Sequence, residues 1–140
     1  MTQVAFGIFD WIDRSTATLH QLYKDRLQLL ELADAAGFFC YHLAEHHATP
    51  LGMAPSPALF LTAAAQRTQR IRLGPLVYLL PLYNPLRLIE EVCMLDQLSD
   101  GRLNWVSAAA SHRTSCAIMA SILPARAQSS TRRYQYLSPD

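Results

Sequence analysis

Positive charge is scarce and unclustered in this chain: 12 Lys and Arg face 11 Asp and Glu, for a formal net charge of +1. A phosphate-binding surface needs a concentrated basic excess, so no nucleic-acid partner is expected. No apolar run reaches the length of a bilayer span, so no membrane partner is expected either. Met1-Thr2-Gln3-Val4 has neither a basic n-region nor a cleavage site, and a cytoplasmic location is therefore expected. Cysteine is limited to Cys40, Cys93 and Cys116, an odd number without C-x-x-C spacing. That argues against a disulfide framework and a zinc site, and leaves reduced structural thiols as the expectation.

What is present is enough apolar residue, 51% of 140, to bury a core in one domain. Val4 to Phe9 reads as a first strand, rich in β-branched and aromatic residues. Leu19, Leu22, Tyr23, Leu27, Leu30 and Ala33 then recur at three and four spacing, an amphipathic helix with Gly37 placed to cap it. Phe38 to Tyr41 reads as a second strand. Ser56-Pro57 has the form of an N-cap followed by proline at the first helical position, opening an alanine-rich helix through Gln66. Phe60, Leu61 and the alanines at 63 to 65 are read as its packing face. Ile71 to Leu80 is a third strand, and Asn84-Pro85 repeats the cap before a helix ending near Leu98. Asp100-Gly101 turns the chain into a fourth strand at Arg102.

Strands thus begin near 4, 38, 71 and 102, an interval of 31 to 34 residues. Each interval is one βαβ step, and a series of such steps gives an α/β fold with a parallel sheet. A closed eight-stranded barrel needs about 250 residues. The chain has room for half of one, which leaves a flavodoxin-like open sheet or part of a barrel.

The chemistry-bearing cluster is Ala44-Glu45-His46-His47, just beyond the second strand. In α/β barrels that end of each strand carries the active site. Imidazole, with a pKa near ~6.5, can take and return a proton at neutral pH. A lone strand-end histidine is, however, more often a structural group than a catalytic one. Adjacent residues of an extended chain point to opposite faces, so His46 and His47 are not expected to share a metal.

Taken together with Ile71-Arg72-Leu73-Gly74-Pro75-Leu76-Val77-Tyr78-Leu79-Leu80-Pro81, Asn84-Pro85, Glu90-Glu91 and Leu95-Asp96-Gln97-Leu98-Ser99-Asp100-Gly101-Arg102, this cluster resembles bacterial luciferase-like flavin-dependent monooxygenases over residues 4 to 103. The resemblance implies a (β/α)8 TIM barrel, of which about the first four βα units are present here. It implies reduced flavin, usually FMN, reacting with O2 to oxidise a small-molecule substrate, with a flavin reductase as supplier. A branch using the deazaflavin F420 transfers hydride instead. By position, the resemblance makes His46 the catalytic histidine, Glu45 its neighbour at the flavin, and Leu76-Val77 the place of a non-proline cis peptide beneath the flavin ring. No metal is implied.

After Leu103 the pattern departs. The family continues with a glycine-rich strand carrying an arginine for the flavin phosphate, whereas this chain has Asn104-Trp105-Val106-Ser107-Ala108-Ala109-Ala110-Ser111. Residues 104–140 hold four arginines, seven serines and one acid, Asp140, without a helix period, and read as loop or disorder. Read one base back, Trp105 becomes Leu, Val106 becomes Gly, and E-L-G-V-G-R-G-I is permitted. A frameshift at Leu103 is therefore expected, leaving a truncated, inactive fragment with uncovered edges that self-associates. The competing expectation is a non-catalytic half-barrel that dimerises into a closed one. The coding DNA decides between them.

Overall fold

In the computed structural model, which describes residues 4–105, β1 is Gly7–Asp10, β2 is Cys40–Leu43 and β3 is Arg72–Pro75. They pair in parallel in the order β1-β2-β3, with Phe9, His42 and Gly74 in one rung and Asp10, Leu43 and Pro75 in the next. Leu73 bridges Leu103 in parallel on the free side of β3. The fourth strand position thus follows the third in space as in sequence. A flavodoxin-like sheet would place β1 between β2 and β3. The sequential order β1-β2-β3 departs from that arrangement.

Helix α1, Leu19–Ala35, opens with the Thr18 side chain accepting from the Gln21 N–H. Leu22, Leu30 and Ala33 form its buried stripe, and Gly37 closes it with φ of +84° while the Phe38 N–H returns to the Ala33 carbonyl. Helix α2, Pro57–Ala65, starts on proline as the sequence indicates, but the Ser56 side chain makes no cap hydrogen bond. Helix α3, Pro85–Leu98, has the expected cap: Asn84 Oδ1 accepts from the N–H groups of Leu86 and Arg87. The expected strand from Ile71 to Leu80 stops at Pro75. Beyond it the backbone leaves the sheet through a cis Leu76–Val77 bond and a single 3-10 turn at Leu80–Leu82.

Tyr41, Leu43, Leu61, Ile71, Leu73, Val92, Leu95 and Leu103 form the innermost part of the core. Arg102 fastens its lower edge, donating to Thr68 Oγ1 and to the carbonyls of Ala65, Thr68, Ile71 and Ser99. Cys40 and Cys93 are free, half-buried thiols, and burial pushes both above their ordinary range. Cys116, the expected frameshift and the residues from Val106 onward lie outside the described residues. Among the described residues, no helix is long and apolar enough to cross a membrane.

Asp34, in the last turn of α1, organises the start of β3. Its Oδ1 accepts from the N–H groups of Arg70 and Ile71, and its Oδ2 from that of Gln69. Burial alone would raise its pKa. The three N–H donors and the Arg70 charge outweigh it and hold the carboxyl below its usual range. A depressed native pKa gives stability that is fully present above the unfolded value near ~3.9 and is lost as pH falls through the native value. Asp34→Asn keeps one acceptor but sets an amide against the remaining donor, and is expected to cost about 2 kcal/mol. Urea melts at pH 7 and pH 3 check this: the gap between wild type and variant closes at the lower pH.

Candidate functional site

The C-terminal ends of β1, β2 and β3 converge on the Glu45-His46-His47 cluster. Ala44 continues the β2 ladder by donating to the Asp10 carbonyl, at 2.9 Å, so Glu45 leaves the sheet directly over its edge. Glu45 is 4% exposed. Its Oε1 meets His47 Nε2 at 2.7 Å, its Oε2 accepts the Leu79 N–H at 2.9 Å, and the Tyr83 hydroxyl bonds to the same carboxylate. Burial and then the Glu45 charge push the Tyr83 phenol far up. The carboxylate therefore joins the end of β2 to the loop that carries Leu76 and Val77. Both of its oxygens are engaged by the protein itself.

His46 goes elsewhere. Its ring stacks on Trp11, in the loop after β1, with centroids 4.6 Å apart and planes 27° from parallel. Phe9 meets the same indole edge-on at 5.6 Å. Neither ring nitrogen of His46 is hydrogen-bonded to a described residue. Leu76 and Val77 are half-buried, and the bond between them is cis. Next to them Tyr78 is buried against Tyr83 and Trp105, with ring centroids 5.2 Å and 5.1 Å away.

A third histidine lies one rung below the edge. The Asn104 amide meets His42 Nε2 at 2.8 Å across Gly74, which has no side chain to separate them. An amide donor at Nε2 places the imidazole hydrogen on Nδ1, and burial favours the neutral ring by lowering the His42 pKa. Sequence reading passes over Trp11, His42, Tyr83 and Asn104. The available signal was position: Trp11 directly follows β1, as Glu45 follows β2. At the opposite edge of the sheet, a recess of about 550 Å³ borders Phe6, Phe38, Phe39, Arg70 and Arg72. Both guanidinium groups there donate to backbone carbonyls, whereas the His46 imidazole at the C-terminal edge has no hydrogen-bond partner among the described residues.

The family model for luciferase-like monooxygenases matches residues 4–115. The chain belongs to this family. The uncharacterized protein y4wF of Sinorhizobium fredii is 56% identical over 101 residues, 72% of this chain and 30% of its own length. Limonene 1,2-monooxygenase of Rhodococcus erythropolis is 39% identical over 103 residues, 72% of this chain and 26% of its own. The oxygenase component of the flavin-dependent trigonelline monooxygenase of Acinetobacter baylyi is 34% identical over 101 residues, 71% of this chain and 28% of its own. The chain thus spans less than a third of the curated relatives it matches. The FMN-bound oxygenating constituent of 3,6-diketocamphane monooxygenase from Pseudomonas putida superposes with a TM-score of 0.71 at 23% identity, over 84% of this chain and 32% of that one. The coenzyme F420 dependent tetrahydromethanopterin reductase of Methanopyrus kandleri gives 0.58 at 26% identity, over 73% and 26%.

Proposed function

We propose that this chain supplies the first wall of a (β/α)8 barrel that oxygenates a small organic substrate with reduced FMN and O2, His46 serving as its acid–base residue. The observation that carries the reading is the His46 ring, held at the C-terminal edge of a sequential parallel sheet with neither nitrogen hydrogen-bonded among the described residues. A general acid–base group must be within reach of a ligand proton and must not be tied up by the protein.

The residues fit a flavin. His46, Leu76 and Val77 would hold its ring, and bound flavin would supply the electrons that activate dioxygen. His46 takes a proton at a ring nitrogen and returns it. Glu45 is a positioning residue, fixing the 76–83 loop by its bonds to Leu79 and Tyr83. Tyr78, buried against the half-buried Trp105, helps to keep water out of the site. A reductase delivering reduced flavin is the partner this scheme requires, in keeping with the oxygenase-component relative. The structural likeness to an F420-dependent reductase favours a second reading, hydride transfer with the deazaflavin.

Anaerobic titration of this wall completed by the remaining βα units, with reduced FMN and with reduced F420, separates the two, and absence of binding by both sinks them together. In a barrel completed by the remaining βα units and given reduced FMN, oxygen and a substrate panel, His46→Ala is expected to lower turnover by roughly 100-fold or more while the urea midpoint stays near wild type. Unchanged turnover would remove His46 from the chemistry.

A further inference from the structure

We infer that Trp11 is a positioning residue: it holds the His46 imidazole by its face, so that the ring is oriented without the use of either nitrogen. The role assigned to the ring rests on the flavin-oxygenase reading above, whereas the placement itself does not.

The three histidines near the sheet edge are restrained in different ways. Glu45 restrains His47 through Nε2, and Asn104 restrains His42 through Nε2. A hydrogen bond of that kind fixes the plane of an imidazole but consumes a nitrogen and selects a tautomer. Among the described residues, His46 has only apolar restraint. Trp11 covers one side of the ring at 4.6 Å. Gly52 crowds its base: a Cβ built there would lie 2.7 Å from His46 Cβ and 3.4 Å from Cγ, and the backbone has φ of +84°.

The two walls of this slot are fastened to each other. The Asp10 carboxylate turns the chain after β1 by accepting the Ile12 N–H at 2.9 Å, and Ile12 is fully buried with φ of +49°. The Met53 N–H then donates to the Ile12 carbonyl and the Arg14 N–H to the Pro50 carbonyl, at 2.8 and 2.9 Å. The Tyr23 hydroxyl donates to the Met53 carbonyl from α1. The loop that bears Trp11 and the loop that bears Gly52 are therefore tied to each other, with Phe9 bracing the indole from the sheet. A ring gripped this way can take a proton at one nitrogen and release one from the other, because no partner among the described residues favours either tautomer.

The test is NMR of the histidine ring protons of the whole chain, because a proton over an indole face is displaced upfield by its ring current. Trp11→Leu is expected to abolish the displacement at His46, and Trp11→Phe to retain part of it, with the His42 and His47 signals unmoved in both. In the oxygenation assay, Trp11→Leu is expected to lower kcat roughly 10-fold with little change in KM for flavin, and Trp11→Phe to restore most of it. Should Trp11→Leu fail to fold, Trp11→Phe carries the comparison, since a smaller ring current at the same place gives a reduced displacement. His46 signals identical in wild type and both variants would overturn the inference. A lost displacement in a protein that binds no flavin leaves the positioning intact and overturns the flavin reading instead.

Discussion

Gly74→Ala is expected to cost about 4 kcal/mol of stability and to detach the fourth strand position from the sheet. An alanine Cβ at this site would lie 1.8 Å from the Asn104 carbonyl oxygen and 2.8 Å from its carbon. Both atoms are backbone, so no side-chain rotation relieves the clash and the 102–104 segment must withdraw. Withdrawal breaks the bond from the Leu73 N–H to the Arg102 carbonyl and that from the Asn104 N–H to the Leu73 carbonyl, at 3.0 and 2.7 Å. It also separates Asn104 from His42 and strains the five bonds of the Arg102 guanidinium. Overpacking alone costs about 1–3 kcal/mol, and orphaned backbone groups at about 1–3 kcal/mol each place the total at the upper end. Urea denaturation followed by tryptophan emission measures it, since Trp105 rests on Tyr78 only while the segment is docked. A loss below about 1 kcal/mol would mean that β3 and the fourth strand position part easily and that their bridge is peripheral.

Much of this architecture is legible in the sequence because it is local. The stripe through Leu22, Leu30 and Ala33, the Asn84-Pro85 cap and the spacing of strand starts depend on neighbours three or four residues away. The length of β3 is not legible. An apolar run from Ile71 to Leu80 has the same composition whether it continues as strand or leaves the sheet at Pro75. Ser56 likewise has the right residue type for a cap and no cap bond. The site divides along the same line. Glu45 and His46 are marked by their position after β2, but their partners, Leu79, Tyr83 and Trp11, come from elements more than thirty residues away. Asn104 reads in sequence as the loss of a glycine-rich, basic strand. In the fold it is 1% exposed and bonded to His42, a pairing that only the register through Gly74 creates. Asp34 carries no signal at all, since its value lies in three N–H groups thirty-five to thirty-seven residues on.

Glu45→Ala is expected to cost about 2 kcal/mol and, on the flavin reading proposed above, to weaken flavin binding at least 10-fold in whatever fraction folds. Three donors share one carboxylate at a position almost closed to water. Truncation leaves the Leu79 N–H, the Tyr83 hydroxyl and His47 to find other partners. Each unsatisfied buried group costs about 1–3 kcal/mol, more where a charge was involved. His47 and Leu79 are both exposed enough to turn to water, so the loss concentrates on Tyr83 and on the tie between β2 and the loop following Leu76 and Val77. Glu45→Gln retains one acceptor oxygen and is expected to lose about half as much, keeping either Leu79 or Tyr83 but not the full bridge. Neither change reaches the stack of His46 on Trp11, which is fastened through Asp10 and Ile12 rather than through Glu45. The two variants should therefore separate loop order from imidazole order: flavin affinity falls in the sequence wild type, Gln, Ala, while the His46 ring signals hold still. Equal flavin affinity in all three would show that the 76–83 loop is ordered by its own aromatic packing and that Glu45 serves His47 alone.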